Sequence, residues 1–258
     1  MDLLDALTLQ KILLIAAVGG LLGLDRTALG QFMISEPIVA APLIGWFLGD
    51  TAAGIVIGVV LELIWVLDLP VGTFVPADST IAAIAATAIA VLGSRGDHAI
   101  PGVMGFSLLL TTGMAPVTML GDRFIRSQNA LLAVWTLDAE EADTDKRLVT
   151  AHLAGLMVFF LKSFVLLLVL IPVGLGALQL YNAMPGTLHA AMALFMHLLL
   201  FLGAALVIRK LSRDGVDRYV LIGAASSIIG TLVLHVHPGI AVIIAAAAGW
   251  LGVRYRER

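Results

Sequence analysis

Apolar runs broken by short polar or Gly/Pro stretches make up most of this chain. Ile12 to Leu24 is apolar but shorter than the roughly 20 residues a bilayer crossing needs. Gly19, Gly20 and Gly23 interrupt it before Asp25 and Arg26, so it reads equally as a full span and as a broken or re-entrant segment. Pro37 to Leu48 is again short and holds Pro37 and Pro42. Two short, Gly/Pro-interrupted segments point to the binding region of a transporter. Thr51 to Leu67 predicts a helix in which Gly54, Gly58 and Glu62, at i, i+4 and i+8, share one face. The small residues admit a neighbouring helix closely, which turns Glu62 toward protein rather than lipid. Pro70 to Pro76 breaks the chain, and Asp78, Ser79 and Thr80 open a helix of small residues running to about Leu92.

Further along, Ala99 to Leu120 predicts a span kinked at Pro101 and Pro116. Gly121 to Arg147 reads as the longest polar connection, with an acidic patch from Asp138 to Asp145 expected to be a solvated loop. Leu148 to Ile171 is the longest predicted span, with Lys162 inside it. Thr187 to Ile208 follows, and Tyr219 to Leu234 and Ile240 to Val253 form a last pair around His235 and His237. Met1 to Gln10 reads as a short amphipathic helix lying at an interface.

A composition that is 60% hydrophobic, with a mean hydropathy of +1.04, exceeds what a soluble domain can bury. The fold class expected is all-α: a polytopic membrane protein with short broken or re-entrant helical segments, forming a single membrane-embedded domain over residues 1–258. Beta-barrels carry a weaker, alternating signal. The net charge of -3 comes without a basic face, which excludes nucleic acid as a partner. With no cysteine there is no disulfide frame and no thiolate chemistry. The acidic N-terminus lacks a basic n-region, so no cleaved signal peptide is expected and the mature protein starts at Met1. Basic residues cluster at Arg123, Arg126, Lys146 and Arg147, at Arg209 to Arg218, and in the C-terminal tail. Two predicted spans separate each cluster from the next, so all three fall on one face, which the positive-inside rule makes cytoplasmic.

The acids change this picture. Asp25, Glu36, Asp50, Glu62, Asp68 and Asp78 lie in or beside the central apolar stretch, where the only basic residue is Arg26. A carboxylate at mid-bilayer costs roughly 2.5–3.5 kcal/mol, and acids kept against that cost mark substrate or ion pathways.

The central stretch carries an ordered set: Glu36-Pro37-Ile38-Val39, Pro42-Leu43-Ile44-Gly45, Leu48-Gly49-Asp50, Gly54-Ile55, Gly58, Leu61-Glu62-Leu63-Ile64, Pro70-Val71-Gly72 and Pro76-Ala77-Asp78. In order and spacing it resembles the membrane-embedded IIC subunit of mannose/fructose/sorbose-family phosphotransferase systems. Members commonly have a Gln four residues before the Pro matched by Pro37; here that position is Met33, and Gln31 lies two further back. The resemblance implies an elevator-type transporter subunit of the bacterial inner membrane that binds a hexose-like sugar and moves it for phosphorylation. It implies a IID membrane partner in a trimer of heterodimers and cytosolic IIA and IIB proteins. It implies no cofactor, no metal and no catalytic residue on IIC, because IIB transfers the phosphoryl group. Two other classes stay open: an ion-coupled elevator-type transporter, which the acids fit, and a non-transporting regulatory membrane partner of such systems, which the altered region around Gln31 and Met33 fits.

The candidate substrate-binding residues are Glu62, Asp78, Gln31, Asp25 and Trp65. Glu62 offers two acceptor oxygens to sugar hydroxyls; the competing role is a polar link between helices. Asp78 can do the same from a helix mouth, and it can equally cap the helix that starts at Ser79. Asp25 and Gln31 sit at the first break. Trp65 and Trp46 can stack on a sugar ring or serve as packing and interface anchors. Asp50 and Asp68 are expected to face water at segment ends. His235 and His237 read as polar caps of a turn, because their spacing does not suit a helical metal pair. Lys162 is expected to snorkel or to pair with an acid on a neighbouring helix.

Overall fold

The computed structural model describes residues 6–66, 68, 74–94, 100–137 and 143–211. The first five residues, most of the Pro70 to Pro76 break, the turn after Ser94, most of the acidic patch, the last two expected spans with His235 and His237, and the tail lie outside the described residues. The chain divides into two compact units, Met1–Gly203 and Ala204–Arg258. The helices are α1 (Ala6–Asp25), α2 (Pro37–Leu48), α3 (Thr51–Trp65), α4 (Ser79–Gly93), α5 (Pro101–Gly113), α6 (Ala115–Leu137), α7 (Thr144–Asn182) and α8 (Gly186–Leu211). No strand occurs among the described residues. Helices α1, α7 and α8 are long and apolar enough to cross a membrane, and α5 and α6, bent by 41° at their junction, together have the length and apolarity of a broken span or a re-entrant loop.

The N-terminal run is one unbroken helix. Ala6 to Gln10 form its first turns rather than a separate interface helix, and its glycines form a packing seam instead of a break. A Cβ on Gly20 would lie 2.6 Å from the Phe160 ring, and those on Gly19 and Gly23 would collide with Leu167 and Ser163 of α7. The seam holds α1 against α7 at a separation larger residues forbid.

Helices α2 and α3 are about 18 and 22 Å long at 1.5 Å per residue, too short to cross a hydrocarbon layer of about 30 Å. They form a tight antiparallel hairpin. Gly49 closes α2 in the left-handed region (φ 94°), where glycine carries no Cβ penalty, and the Asp50 amide donates to Gly45 O. Asp50 then caps α3 by accepting from the Ala53 amide at 3.0 Å. Its side chain is buried rather than turned to water as expected, because the hairpin folds over the cap.

Helix α4 is buried on nearly every side, with α1, α2, α3, α5 and α7 packed around it. Its alanines permit so many close neighbours. The expected kinked span is broken at Met114: Pro116 cannot donate to the carbonyl four residues back, and α6 leaves at an angle. Most of the expected polar connection after Gly121 is therefore helix. Helix α7 continues through Pro172 well past Ile171 and reaches 39 residues.

Arg123 and Arg126 lie exposed on α6, and Arg147 at the start of α7 stacks over the Trp135 ring at 5.3 Å. Ser127 sits among them, exposed. Since the chain has no native cysteine, Ser127→Cys provides a single label site. It should react with a membrane-impermeant maleimide in inside-out vesicles and not in intact cells; labelling of intact cells would reverse the topology drawn from the basic clusters.

Candidate functional site

The loop between α1 and α2 is built around Asp25. Its Oδ1 accepts from the Phe32 amide at 2.6 Å and its Oδ2 from the Ser35 amide at 3.1 Å. Gly30, Gln31 and Met33 all adopt positive φ (85°, 55° and 64°). The left-handed region costs a non-glycine residue about 1–2 kcal/mol, so Asp25 holds Gln31 and Met33 in a conformation they would not choose. Such outliers cluster at ligand sites.

A cavity of about 340 Å³ opens beside this loop. Asp25, Gln31, Ser35 and Glu36 line it from the loop, Trp65 and Asp68 from the end of α3, and Arg26 and Ser79 from the α1 and α4 termini. Of the five residues singled out in the sequence, Asp25, Gln31 and Trp65 meet here. Asp68, expected at the water, is half-buried in the wall. Trp46 is 69% exposed and lies outside it.

Glu62 and Asp78 are placed differently. Glu62 Oε2 accepts from the Ile38 amide at 3.2 Å, satisfying one of the donors that every helix N-terminus leaves free. The Gly54–Gly58–Glu62 face read in the sequence is thus the face that meets α2, and Glu62 lies half-buried on it as a link between helices. Asp78 is 1% exposed and caps α4 through Oδ1, which accepts from the Ile81 amide at 3.1 Å. The same oxygen receives Arg26 Nη1 at 3.1 Å, and Oδ2 receives Lys162 Nζ at 2.6 Å. Arg26 also donates to Ala77 O at 2.8 Å and Ser79 Oγ at 3.2 Å. The Asp78 amide donates to Thr118 Oγ1 of α6 at 3.1 Å, and Lys162 bonds Asp122 of α6 at 2.6 Å. One connected ionic network therefore ties the ends of α1 and α4 to the middles of α6 and α7. With both oxygens occupied, Asp78 supports the cavity wall from behind rather than presenting an open carboxylate.

Lys162 does pair with acids on neighbouring elements and does not snorkel. Asp122 was not legible as a partner, because its stretch reads as a polar connection; the available signal was a mid-span lysine in need of a carboxylate. Arg26, visible only as the lone cation among the acids, is the residue that joins the loop to the α4 cap.

A second cavity, about 310 Å³, is lined by Gly23, Arg26, Thr27, Gln31, Asp122, Arg126, Phe159 and Lys162. Arg26 and Gln31 line both cavities.

Residues 9–247 match the family described as the PTS system sorbose-specific IIC component. The chain belongs to this family. Over 94 residues it is 31% identical to the mannose-specific EIIC component of Escherichia coli, an alignment covering 36% of this chain and 34% of that protein, so the match spans about a third of the relative's length. To the fructose permease IIC component of Bacillus subtilis it is 21% identical over 221 residues, which cover 85% of this chain and 78% of that one. Two solved structures share the fold at 17% identity. One is described as a membrane protein (TM-score 0.72; 99% of this chain and 97% of that one), the other as the mannose transporter ManYZ in complex with a microcin (TM-score 0.55; 99% and 96%). As a IIC component the chain is a multi-pass protein of the bacterial inner membrane, in keeping with its long apolar helices.

Proposed function

We propose that this chain is the permease subunit of a mannose-class sugar phosphotransferase system and that a hexose-like sugar binds in the cavity between the α1–α2 loop and the end of α3. The carrying observation is that cavity. Its volume of about 340 Å³ falls in the range of small-ligand sites, and it combines an aromatic face at Trp65 with acceptors at Asp25, Glu36 and Asp68 and an amide at Gln31. Sugars need this combination, since each hydroxyl both donates and accepts while the ring presents apolar C–H faces. Asp25 keeps lone pairs beyond the two amide bonds it accepts. Glu62 and Asp78 act in this reading as positioning residues that fix the α2 N-terminus and the α4 cap. Residues 1–258 then work as one membrane domain beside a IID chain, in a trimer of such pairs, and a cytosolic IIA/IIB pair supplies the phosphoryl group to the delivered sugar.

The test is calorimetric titration of the purified IIC/IID complex with mannose and fructose. Gln31→Asn keeps a residue that tolerates positive φ and retracts the amide by one methylene. It should weaken hexose affinity roughly tenfold, since one or two hydrogen bonds of about 0.5–1.5 kcal/mol are lost. Unchanged affinity would remove Gln31 from the site. Sugar uptake that depends on a sodium or proton gradient and not on phosphoenolpyruvate would replace the whole reading with an ion-coupled one.

A further inference from the structure

The second cavity is more cationic than its structural role requires. Arg26 and Lys162 are matched by Asp78 and Asp122 in the ion pairs described above. Arg126 makes no ion pair among the described residues and stands exposed at the rim, so the cavity carries a surplus positive charge. Donors are in surplus too. Arg26 spends three hydrogen bonds on Asp78, Ser79 and Ala77, and Lys162 spends two on Asp78 and Asp122. A guanidinium has five N–H groups and an ammonium three, so among the described residues both keep donors free, and Arg126 keeps its full set there. The Thr27 hydroxyl and Gln31 amide add neutral donors.

We infer that this cavity is a phosphate subsite, placed beside the sugar cavity so that the two, which share Arg26 and Gln31, hold the phosphoryl group and the sugar body of one hexose phosphate. Planar guanidinium forks match phosphate oxygens bidentately, and partial burial strengthens each charge-assisted bond. Arg126 belongs to the first basic cluster, assigned to the cytoplasm, which places the subsite on the side where a hexose becomes a hexose phosphate. The subsite would make the permease sense or retain product, a role distinct from admitting the free sugar. The inference rests on the proposed sugar cavity, and its test separates the two.

The IIC/IID complex in nanodiscs of neutral lipid is titrated with mannose, fructose, mannose 6-phosphate, fructose 1-phosphate and inorganic phosphate. A hexose phosphate is expected to bind and to compete with its parent hexose. Arg126→Gln, an exposed change that leaves the buried network intact, should weaken hexose phosphate binding roughly tenfold and leave hexose binding within about twofold. Hexose binding with no phosphate binding, or hexose phosphate binding indifferent to Arg126→Gln, would overturn the subsite while leaving the sugar cavity standing. Phosphate binding sensitive to Arg126→Gln without any hexose binding would keep the anion site and remove the sugar cavity. Repeating the titration in phosphatidylglycerol nanodiscs distinguishes the source: if the anionic lipid abolishes hexose phosphate binding, a lipid headgroup fills the site and the hexose phosphate assignment falls.

Discussion

Lys162→Met should destabilise the folded protein by about 3–5 kcal/mol, the usual consequence of removing one partner from a buried ion pair. The Lys162 side chain is 7% exposed and bonds Asp78 and Asp122, both at 2.6 Å. Without it, Asp122 loses its only ion-pair partner among the described residues, and Asp78, 1% exposed, keeps Arg26 alone. The methionine fills the same volume, so the loss is electrostatic rather than a cavity effect. Thermal unfolding in detergent and the fraction of monodisperse protein measure it. Lys162→Met combined with Asp122→Asn removes one stranded charge along with the lysine and should recover part of the loss. A coupling of about 0.5–3 kcal/mol is typical of directly bonded groups. If Lys162→Met unfolds at the same temperature as the parent, the network does not hold the helices together and another set of contacts must.

Gly54→Val should prevent the α2–α3 hairpin from closing. A Cβ at Gly54 would lie 2.5 Å from Ala41 O and 2.9 Å from Pro42 Cα, and one at Gly58 would lie 2.6 Å from Pro37 O. These neighbours are backbone atoms of α2, so no rotamer change relieves the clash. Overpacking that forces backbone shifts costs about 1–3 kcal/mol or more. Here the shift also carries the α2 N-terminus away from Glu62 and alters the wall of the cavity proposed to bind the sugar. The expected result is poor folded yield, with weakened hexose binding in whatever protein survives. Gly176→Ala is the control: it lies exposed on α7 with nothing within 4 Å of an added Cβ, and should be neutral or stabilising by up to about 1 kcal/mol. Equal losses in both variants would mean that glycine content, not the hairpin contact, governs folding.

Much of this architecture was legible in the sequence because its causes are local. The long continuous apolar runs pointed to a helical membrane protein, since a bilayer admits only helices and closed barrels and a barrel strand alternates instead. The i, i+4, i+8 spacing of Gly54, Gly58 and Glu62 needs only the pitch of a helix to define a face. Asp78 before Ser79 needs only the free amides of a helix start to become a cap. The ordered motifs from Glu36 to Asp78 were enough to suggest the family. What the sequence could not supply was pairing at a distance. Asp78 meets Lys162 across 84 positions, Arg26 across 52 and Thr118 across 40. No periodicity links such positions; only the packing of α1, α4, α6 and α7 brings them together. The same packing decided which acids face a cavity. Asp50 disappears under the hairpin it caps and Asp78 is consumed by two cations, while Asp25 and Asp68 line the cavity wall. A carboxylate's role in a membrane depends on what neutralises or hydrogen-bonds it, and those partners come from other helices.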